Sequence, residues 1–480
     1  MESTRITPCP HANKCGGCQL QHLPYAEQLR RKQRQVEGLL GGFGKVLPIL
    51  AMEEPIHYRN KVTAAFALDV RRRIVSGIYQ PGSHAVVPVD SCLIEDETAD
   101  AIIVTIRRML PEFKIKVYDE RSGTGWLRHV LVRRGFATGQ VLVVLVAASP
   151  IFPTQKPFVK KLCEQHPEIT SVVLNVNDRF GPVVLGTKEK VLYGEGYIED
   201  LLCGNRFRIS PRSFYQINPV QTEKLYRTAV DYAQLHGTET VLDAYCGVGT
   251  IGITASARAG QVIGVELNRD AVADAIANAR LNGIKNCWFT AGDAGEYMEH
   301  MARDGSKPDL VFLDPPRAGS DERFLGSLLR CAPPRVVYVS CDPETLARDL
   351  AVLVKGGYRV EKIQPVDMFP WTRHVETVVL LSKGVVDKDN FRKVKVDFSL
   401  EDMDLTELRG KATYAQVKEY ILNEFGLKVS SLYIAQVKKK CGIETGENHN
   451  LPKSEDARQP RVTSEKEEAI MKAFRHFGVL

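Results

Sequence analysis

Asp243-Ala244-Tyr245-Cys246-Gly247-Val248-Gly249-Thr250 closes the apolar run Thr240–Ala244 and opens a helical pattern through Ile251–Ala259. A strand that runs through glycines into a helix lets backbone approach a nucleotide-like ligand closely. Gly247, Gly249 and Gly252 spell G-x-G-x-x-G, and Glu266 lies at the end of the next apolar run, 19 residues after Gly247, where an acid can take ribose hydroxyls. The alternation continues with Val262–Glu266, a helix through Ala271–Asn282, Cys287–Thr290, Leu310–Leu313 and Val336–Ser340. This predicts a parallel sheet covered by helices on both faces. Val360–Pro365 and Val375–Leu381 are separated by too few residues for a helical crossover, so they are predicted to pair antiparallel. Taken alone, the glycine motif suits a nicotinamide cofactor, S-adenosylmethionine, or a ligand-free turn.

Upstream, the first 20 residues hold Cys9, Cys15 and Cys18 with little apolar periodicity, so their order must come from something other than a core. The segment from Pro24 to Leu40 places Leu29, Val36, Leu39 and Leu40 among Arg30, Arg31, Lys32 and Arg34, which predicts a helix with a basic face. Between residues 45 and 205, β-rich runs (Lys61–Leu68, Val130–Val132, Val141–Val146, Ser171–Val176) and two helical stretches (Glu97–Met109, Lys156–Gln165) predict an α+β domain. The α/β pattern occupies 206–384. Residues 385–480 are more polar; Thr413 with Gln416 and Ser464 with Glu467 have capping-box spacing, predicting a small helical extension with a loop around Asn448–Pro460. At 480 residues and 44% hydrophobic, the chain is long enough for several cores. No membrane span or secretory signal is legible, which predicts a cytoplasmic protein. A net charge of +6 does not by itself argue for nucleic-acid binding. The odd count of 11 cysteines does not suggest a disulfide framework.

Three further motifs select among the ligands. Leu313-Asp314-Pro315-Pro316-Arg317 ends the fourth strand, where open α/β sheets place their crevice. Enzymes that methylate exocyclic amines commonly carry asparagine before such prolines; here it is aspartate. Val336–Ser340 delivers Cys341 to the same sheet end, followed by Asp342-Pro343, and Arg373-His374-Val375-Glu376-Thr377 begins the last strand. A lone strand-end cysteine is more often packing than chemistry, and a lone glutamate more often a solvated edge residue. Together with Ser213-Phe214-Tyr215-Gln216-Ile217-Asn218 and Thr345-Leu346-Ala347-Arg348-Asp349, these runs resemble, in order and approximate spacing, the RNA uracil-C5 methyltransferase family over most of residues 1–384.

That resemblance implies a Rossmann-like class I S-adenosylmethionine-dependent methyltransferase domain behind an N-terminal α+β domain that carries a cysteine cluster. Carbon 5 of uracil is too poor a nucleophile to take a methyl group unaided. A thiolate added at carbon 6 makes it an enolate, and a base must remove the carbon 5 proton before the thiolate leaves. The resemblance makes Cys341 the nucleophile and Glu376 the base. It places Gln216, Tyr245, Thr250, Glu266, Asp293 and Asp314 around S-adenosylmethionine, with orientation of the uracil as an alternative role for Asp314. Cys9, Cys15 and Cys18 form C-x5-C-x2-C, and Cys92 is the best fourth thiolate. Iron–sulfur-bearing 23S ribosomal RNA enzymes of this family carry such spacing, implying a [4Fe-4S] cluster and 23S rRNA as partner. Zinc remains an alternative metal and His11 a competing ligand. Cys163, Cys203, Cys246, Cys287, Cys331 and Cys441 have no such grouping.

Arg30–Arg34, Arg71–Arg73 and Arg133-Arg134 are candidate phosphate contacts, although short basic runs are usually solvated faces. Many relatives also carry an N-terminal OB-like domain; with eight residues before Cys9, RNA selection is expected to fall on the central domain or the C-terminal extension. The remaining alternatives are a transfer-RNA substrate, a non-enzymatic iron–sulfur RNA-binding protein, and a nicotinamide-dependent oxidoreductase that would leave Asp314, Cys341 and Glu376 without a joint role. No obligate protein partner is read from the sequence.

Overall fold

Seven strands form the sheet that the glycine motif predicts, in the order β12-β11-β10-β13-β14-β16-β15. These are β10 (Thr240–Ala244), β11 (Gln261–Glu266), β12 (Cys287–Ala291), β13 (Leu310–Leu313), β14 (Arg335–Ser340), β15 (Tyr358–Val366) and β16 (Glu376–Lys383). The first five are mutually parallel. β16 runs antiparallel to both neighbours, β14 and β15. β15 and β16 pair antiparallel as their spacing predicts, but β16 inserts between β14 and β15, which the sequence did not reveal. The central strands are apolar along their length because helices cover both faces: Leu242, Val311, Leu313, Val336 and Tyr338 line one core and Val241, Leu310, Phe312, Val337 and Val339 the other. Our computed structural model describes residues 9–179, 181, 183–383, 414–425 and 464–476, with isolated positions between 427 and 441.

A second seven-stranded sheet precedes it, in the order β3-β2-β1-β4-β5-β6-β7. Its strands are β1 (Lys61–Leu68), β2 (Ile74–Tyr79), β3 (Val86–Pro88), β4 (Leu127–Arg134), β5 (Val141–Ala147), β6 (Ile169–Val176) and β7 (Lys188–Tyr193). Helices Glu97–Glu112 and Gln155–Gln165 pack on one face through Ile102, Ile106, Leu110, Phe158 and Leu162. The hairpin β8 (Ile198–Leu202) and β9 (Asn205–Ile209) then leads into the helix Pro219–Ala233.

The helix predicted around 24–40 runs Tyr25–Leu40, but its buried stripe is Gln28, Lys32, Val36 and Leu40. Lys32 is therefore not part of a basic face: it is 1% exposed and ion-paired with Asp367. Arg30 and Arg34 lie outside and both bind Glu27. Arg133 and Arg134 are likewise engaged with partners inside the protein. Arg133 is buried and donates to the Pro211 and Ser213 carbonyls, and Arg134 pairs with Asp96. Arg71–Arg73 remain exposed, with Arg73 paired to Asp69.

By contact density the chain forms two units, Met1–Arg392 and Lys393–Leu480. The three segments read separately within 1–384 fall in the first unit, and residues near 46–50 form parallel bridges to β15 at Ile363 and Val366. In the second unit, helices Tyr414–Phe425 and Ser464–His476 share a core of Val417, Ile421, Ile470, Ala473 and Phe474. Thr413 and the loop around 448–460 lie outside the described residues. Among the described residues, no helix is long and apolar enough to cross a membrane.

Candidate active site

The strand ends of β10, β13, β14 and β16 meet at one edge of the catalytic sheet. In the antiparallel ladder between β14 and β16, Ser340 pairs with Thr377. Continuing that register by one pair places Cys341 opposite Glu376, and directly opposed residues have Cα atoms about 4.5–5.5 Å apart on one face. Asp314 follows β13, the parallel neighbour of β14. Inserting β16 between β14 and β15 is therefore what brings the cysteine, the glutamate and the aspartate together.

Their electrostatics are mutually dependent. Burial pushes the Cys341 thiol up to about 12, with Glu376 and Asp314 adding to the rise and the Arg317 guanidinium opposing it. Burial raises Glu376 to about 8, again with Asp314 adding and Arg317 opposing, and raises Asp314 to about 7. Burial favours the protonated form of each of the three groups, and Arg317 is the cation that favours the ionised forms of Cys341 and Glu376.

The loop that carries Arg317 is fastened from the helix Pro343–Lys355, which begins directly after Cys341. Thr345 Oγ1 donates to the Arg317 carbonyl at 3.1 Å, and Arg348 donates to the carbonyls of Ala318 and Ser320. Asp349 is fully buried and accepts from the Ser320 N–H at 2.8 Å and the Tyr338 hydroxyl at 2.7 Å. Asp342 caps the same helix through the Glu344 and Thr345 N–H groups.

The glycine loop follows β10 at the same end of the sheet. Tyr245, Gly247 and Gly249 all have left-handed backbone, with φ of 65°, 54° and 82°. A Cβ at Gly247 would meet nothing within 4 Å, whereas one at Gly252 would stand 2.8 Å from Asp243 Oδ2. The Gly252 N–H donates to that same oxygen, and the other oxygen of buried Asp243 has no partner among the described residues. Glu266 accepts from the Gly247 N–H at 3.1 Å, fixing the acid against the loop. Asp293 accepts from the Glu296 N–H and caps the helix Ala294–Arg303, so a structural role for it is visible in the protein alone.

Tyr226 was not singled out in the sequence. It is buried, and its hydroxyl lies 3.1 Å from Thr250 Oγ1, so it touches one of the predicted cofactor residues. The signal was a tyrosine on the buried stripe of an amphipathic helix, which reads equally well as core. The Gln216 segment is held by the central domain: the Asn60 amide donates to the Gln216 carbonyl, and Arg133 binds the Ser213 carbonyl at 2.6 Å.

The cysteines form a separate group. Cys18 and Cys92 flank one apolar cluster of Met52, Tyr58, Ile94 and Trp371. Burial pushes both thiols up to about 12, with Cys15 and Cys9 adding to the rise at Cys18 and Glu95 at Cys92. Four thiols suit a soft metal in chemistry. As the side chains stand, no three His, Cys, Asp or Glu groups among the described residues converge on one metal position.

Residues 24–384 match the family described as tRNA (Uracil-5-)-methyltransferase. An uncharacterized RNA methyltransferase of Halalkalibacterium halodurans is 45% identical over 379 residues, covering 78% of this chain and 82% of the relative. Another, from Clostridium acetobutylicum, is 43% identical over 387 residues, covering 79% and 84%. The solved Pyrococcus abyssi tRNA (uracil-54, C5)-methyltransferase in complex with S-adenosyl-L-homocysteine is 31% identical, with a TM-score of 0.65, covering 78% of this chain and 86% of that one. The chain belongs to the tRNA (uracil-5-)-methyltransferase family and is an RNA methyltransferase.

Proposed function

We propose that this enzyme methylates carbon 5 of a uridine in RNA, with Cys341 as nucleophile and Glu376 as general base. The observation that supports the reading is that Ser340 pairs with Thr377, so that Cys341 and Glu376 are the next residues along the two strands, with Glu376 and Asp314 both close enough to act on the Cys341 thiol. S-adenosylmethionine supplies an electrophilic methyl group. The loop Tyr245–Thr250, Gln216, Glu266 and Asp314 are the residues that would hold it, with Asp293 as a further candidate. Loss of the Cys341 proton, opposed by Glu376 and Asp314 and favoured by Arg317, precedes attack on carbon 6. The C6–S bond forms as the 5,6 π electrons move to carbon 5 and its adjacent carbonyl. Carbon 5 would then take the methyl group as the methyl's bond to the donor's sulfonium sulfur breaks, the electron pair leaving with S-adenosylhomocysteine. Glu376 as carboxylate then removes the remaining carbon 5 proton. The C–H electrons restore the double bond, and the C6–S bond breaks to return the thiolate.

As substrate we favour 23S ribosomal RNA, because Cys9, Cys15, Cys18 and Cys92 match the spacing of the cluster-bearing branch. The same residues are the proposed ligands of a [4Fe-4S] cluster, with zinc as the alternative, in a structural role in the cytoplasm. Transfer RNA is the second reading, favoured by the tRNA activity in the name of the Pyrococcus abyssi relative. Incubating anaerobically purified enzyme with labelled methyl donor and total RNA lacking uracil-C5 methylation separates the two. Label in 23S rRNA supports the first reading; label confined to tRNA replaces it with the second.

A further inference from the structure

Between the end of β15 at Val366 and the start of β16 at Glu376, nine residues, 367–375, form a strap that enters the active site at Glu376 itself. Its polar groups are held by partners distant in sequence. Lys32 is 1% exposed; its ammonium pairs with Asp367 and also donates to the Phe369 carbonyl at 3.0 Å. The Tyr25 hydroxyl donates to the other Asp367 oxygen at 2.8 Å and accepts from the Met52 N–H at 2.9 Å. Asn218 donates to the Met368 carbonyl, Tyr58 to the Pro370 carbonyl, and the Trp371 N–H to Gln28 Oε1. Leu20 donates from its backbone to the Trp371 carbonyl at 2.9 Å. Trp371 is held at φ 70°, a left-handed conformation that a non-glycine residue keeps only when its surroundings fix it.

A buried ion pair is a poor source of stability, since desolvating two charges offsets most of their attraction. It does fix direction, because a lone buried charge is strongly unfavourable and only one arrangement of the strap satisfies both groups. Here the pair ties the helix Tyr25–Leu40 to the strap that delivers Glu376.

We propose that Lys32, Asp367 and Tyr25 are positioning residues for the carbon 5 proton abstraction, acting through the strap on Glu376. This rests on Glu376 being the base. Misplacing a group by about 1 Å can cost on the order of 100-fold in its step. The steps before it, thiolate addition and methyl transfer, use Cys341, which follows the neighbouring strand β14, and should be little affected.

The test uses the full chain, a methyl-labelled donor and uridine-containing RNA tritiated at carbon 5, counting methyl groups transferred and tritium released. In the wild type the two rise in step. In Lys32→Met and Tyr25→Phe, tritium release should lag methyl transfer, by about tenfold in the first and less in the second. Methylated RNA should then accumulate as a denaturant-stable adduct with the protein. Tyr25→Phe removes one hydroxyl and keeps the ion pair, so it remains informative if Lys32→Met does not fold. If both counts fall together, or neither changes, without adduct in Tyr25→Phe, the strap has no positioning role and the inference is overturned. Glu376→Gln separates the two levels. If it accumulates adduct while the Tyr25 and Lys32 variants do not, only the positioning inference fails. If it shows no lag of tritium behind methyl, Glu376 is not the base and both fail.

Discussion

At Cys341 the surroundings oppose the charged form that attack on carbon 6 requires, since burial and the carboxylates of Glu376, Asp314 and Asp342 push the thiol up to about 12. Arg317 opposes that rise at both Cys341 and Glu376, although the family motif reads it only as the residue after two prolines. Arg317→Gln should therefore move the ascending limb of the pH–rate profile to higher pH and lower methyl transfer at pH 7 by about tenfold, the equivalent of one pKa unit. A limb that stays in place would remove Arg317 from this role. Glu376 also links stability to pH. Its folded pKa of about 8 lies above its ordinary value, so the folded state holds the proton more tightly than the unfolded state. That contribution is full below the ordinary carboxylate range and is lost as pH rises through about 8. Denaturant titrations at pH 5 and pH 9 should show the wild type losing more stability between them than Glu376→Gln. Cys341, Glu376 and Asp314 could be proposed together from the sequence because the chemistry of uracil methylation needs them jointly. Tyr226 could not, because a buried tyrosine on an amphipathic helix announces only packing.

Among the elements, the run Thr345–Asp349 has a physical explanation: it fastens the loop 317–320 beneath the nucleophile. Asp349 accepts from Ser320, Tyr338 and Arg348 while fully buried. Asp349→Ala would leave buried donors without an acceptor and should lower unfolding stability by about 2–3 kcal/mol, read by denaturant titration; a loss below about 0.5 kcal/mol would contradict the assignment. At Gly249, φ of 82° and a Cβ only 3.0 Å from the Phe289 ring leave no room for a side chain. Gly249→Ala should cost about 1–3 kcal/mol and weaken methyl-donor binding, checked by calorimetry. The parallel strands and the β15–β16 antiparallel pair were legible from apolar runs and linker length. The insertion of β16 beside β14 was not, because pairing partners distant in sequence leave no local periodicity. Lys32 shows the converse failure. Gln28, Lys32, Val36 and Leu40 recur at four-residue spacing on one buried stripe, but a lysine in such a stripe reads as solvated until Asp367 is seen.

Across the first compact unit, the N-terminal segment, the central sheet and the catalytic sheet share hydrogen bonds at the site rather than acting as independent modules. Asn60 and Arg133 hold the Gln216 segment, and the segment after Cys18 binds the strap before Glu376. The domain divisions read from composition were changes of pattern, and composition does not register contacts of this kind. Replacing Cys9, Cys15, Cys18 and Cys92 together with serine should abolish bound iron or zinc and lower the thermal midpoint by several degrees. Elemental analysis and calorimetry check this; a wild type without iron or zinc, or metal content unchanged in the variant, would contradict the proposed ligand set. The chemistry itself is tested most directly by comparing wild type with Cys341→Ala, using labelled methyl donor and RNA lacking uracil-C5 methylation, followed by nucleoside analysis. The account predicts 5-methyluridine from the wild type alone, with Cys341→Ala folded and inactive. Equal methylation by the variant, or label in any other nucleoside, would contradict it.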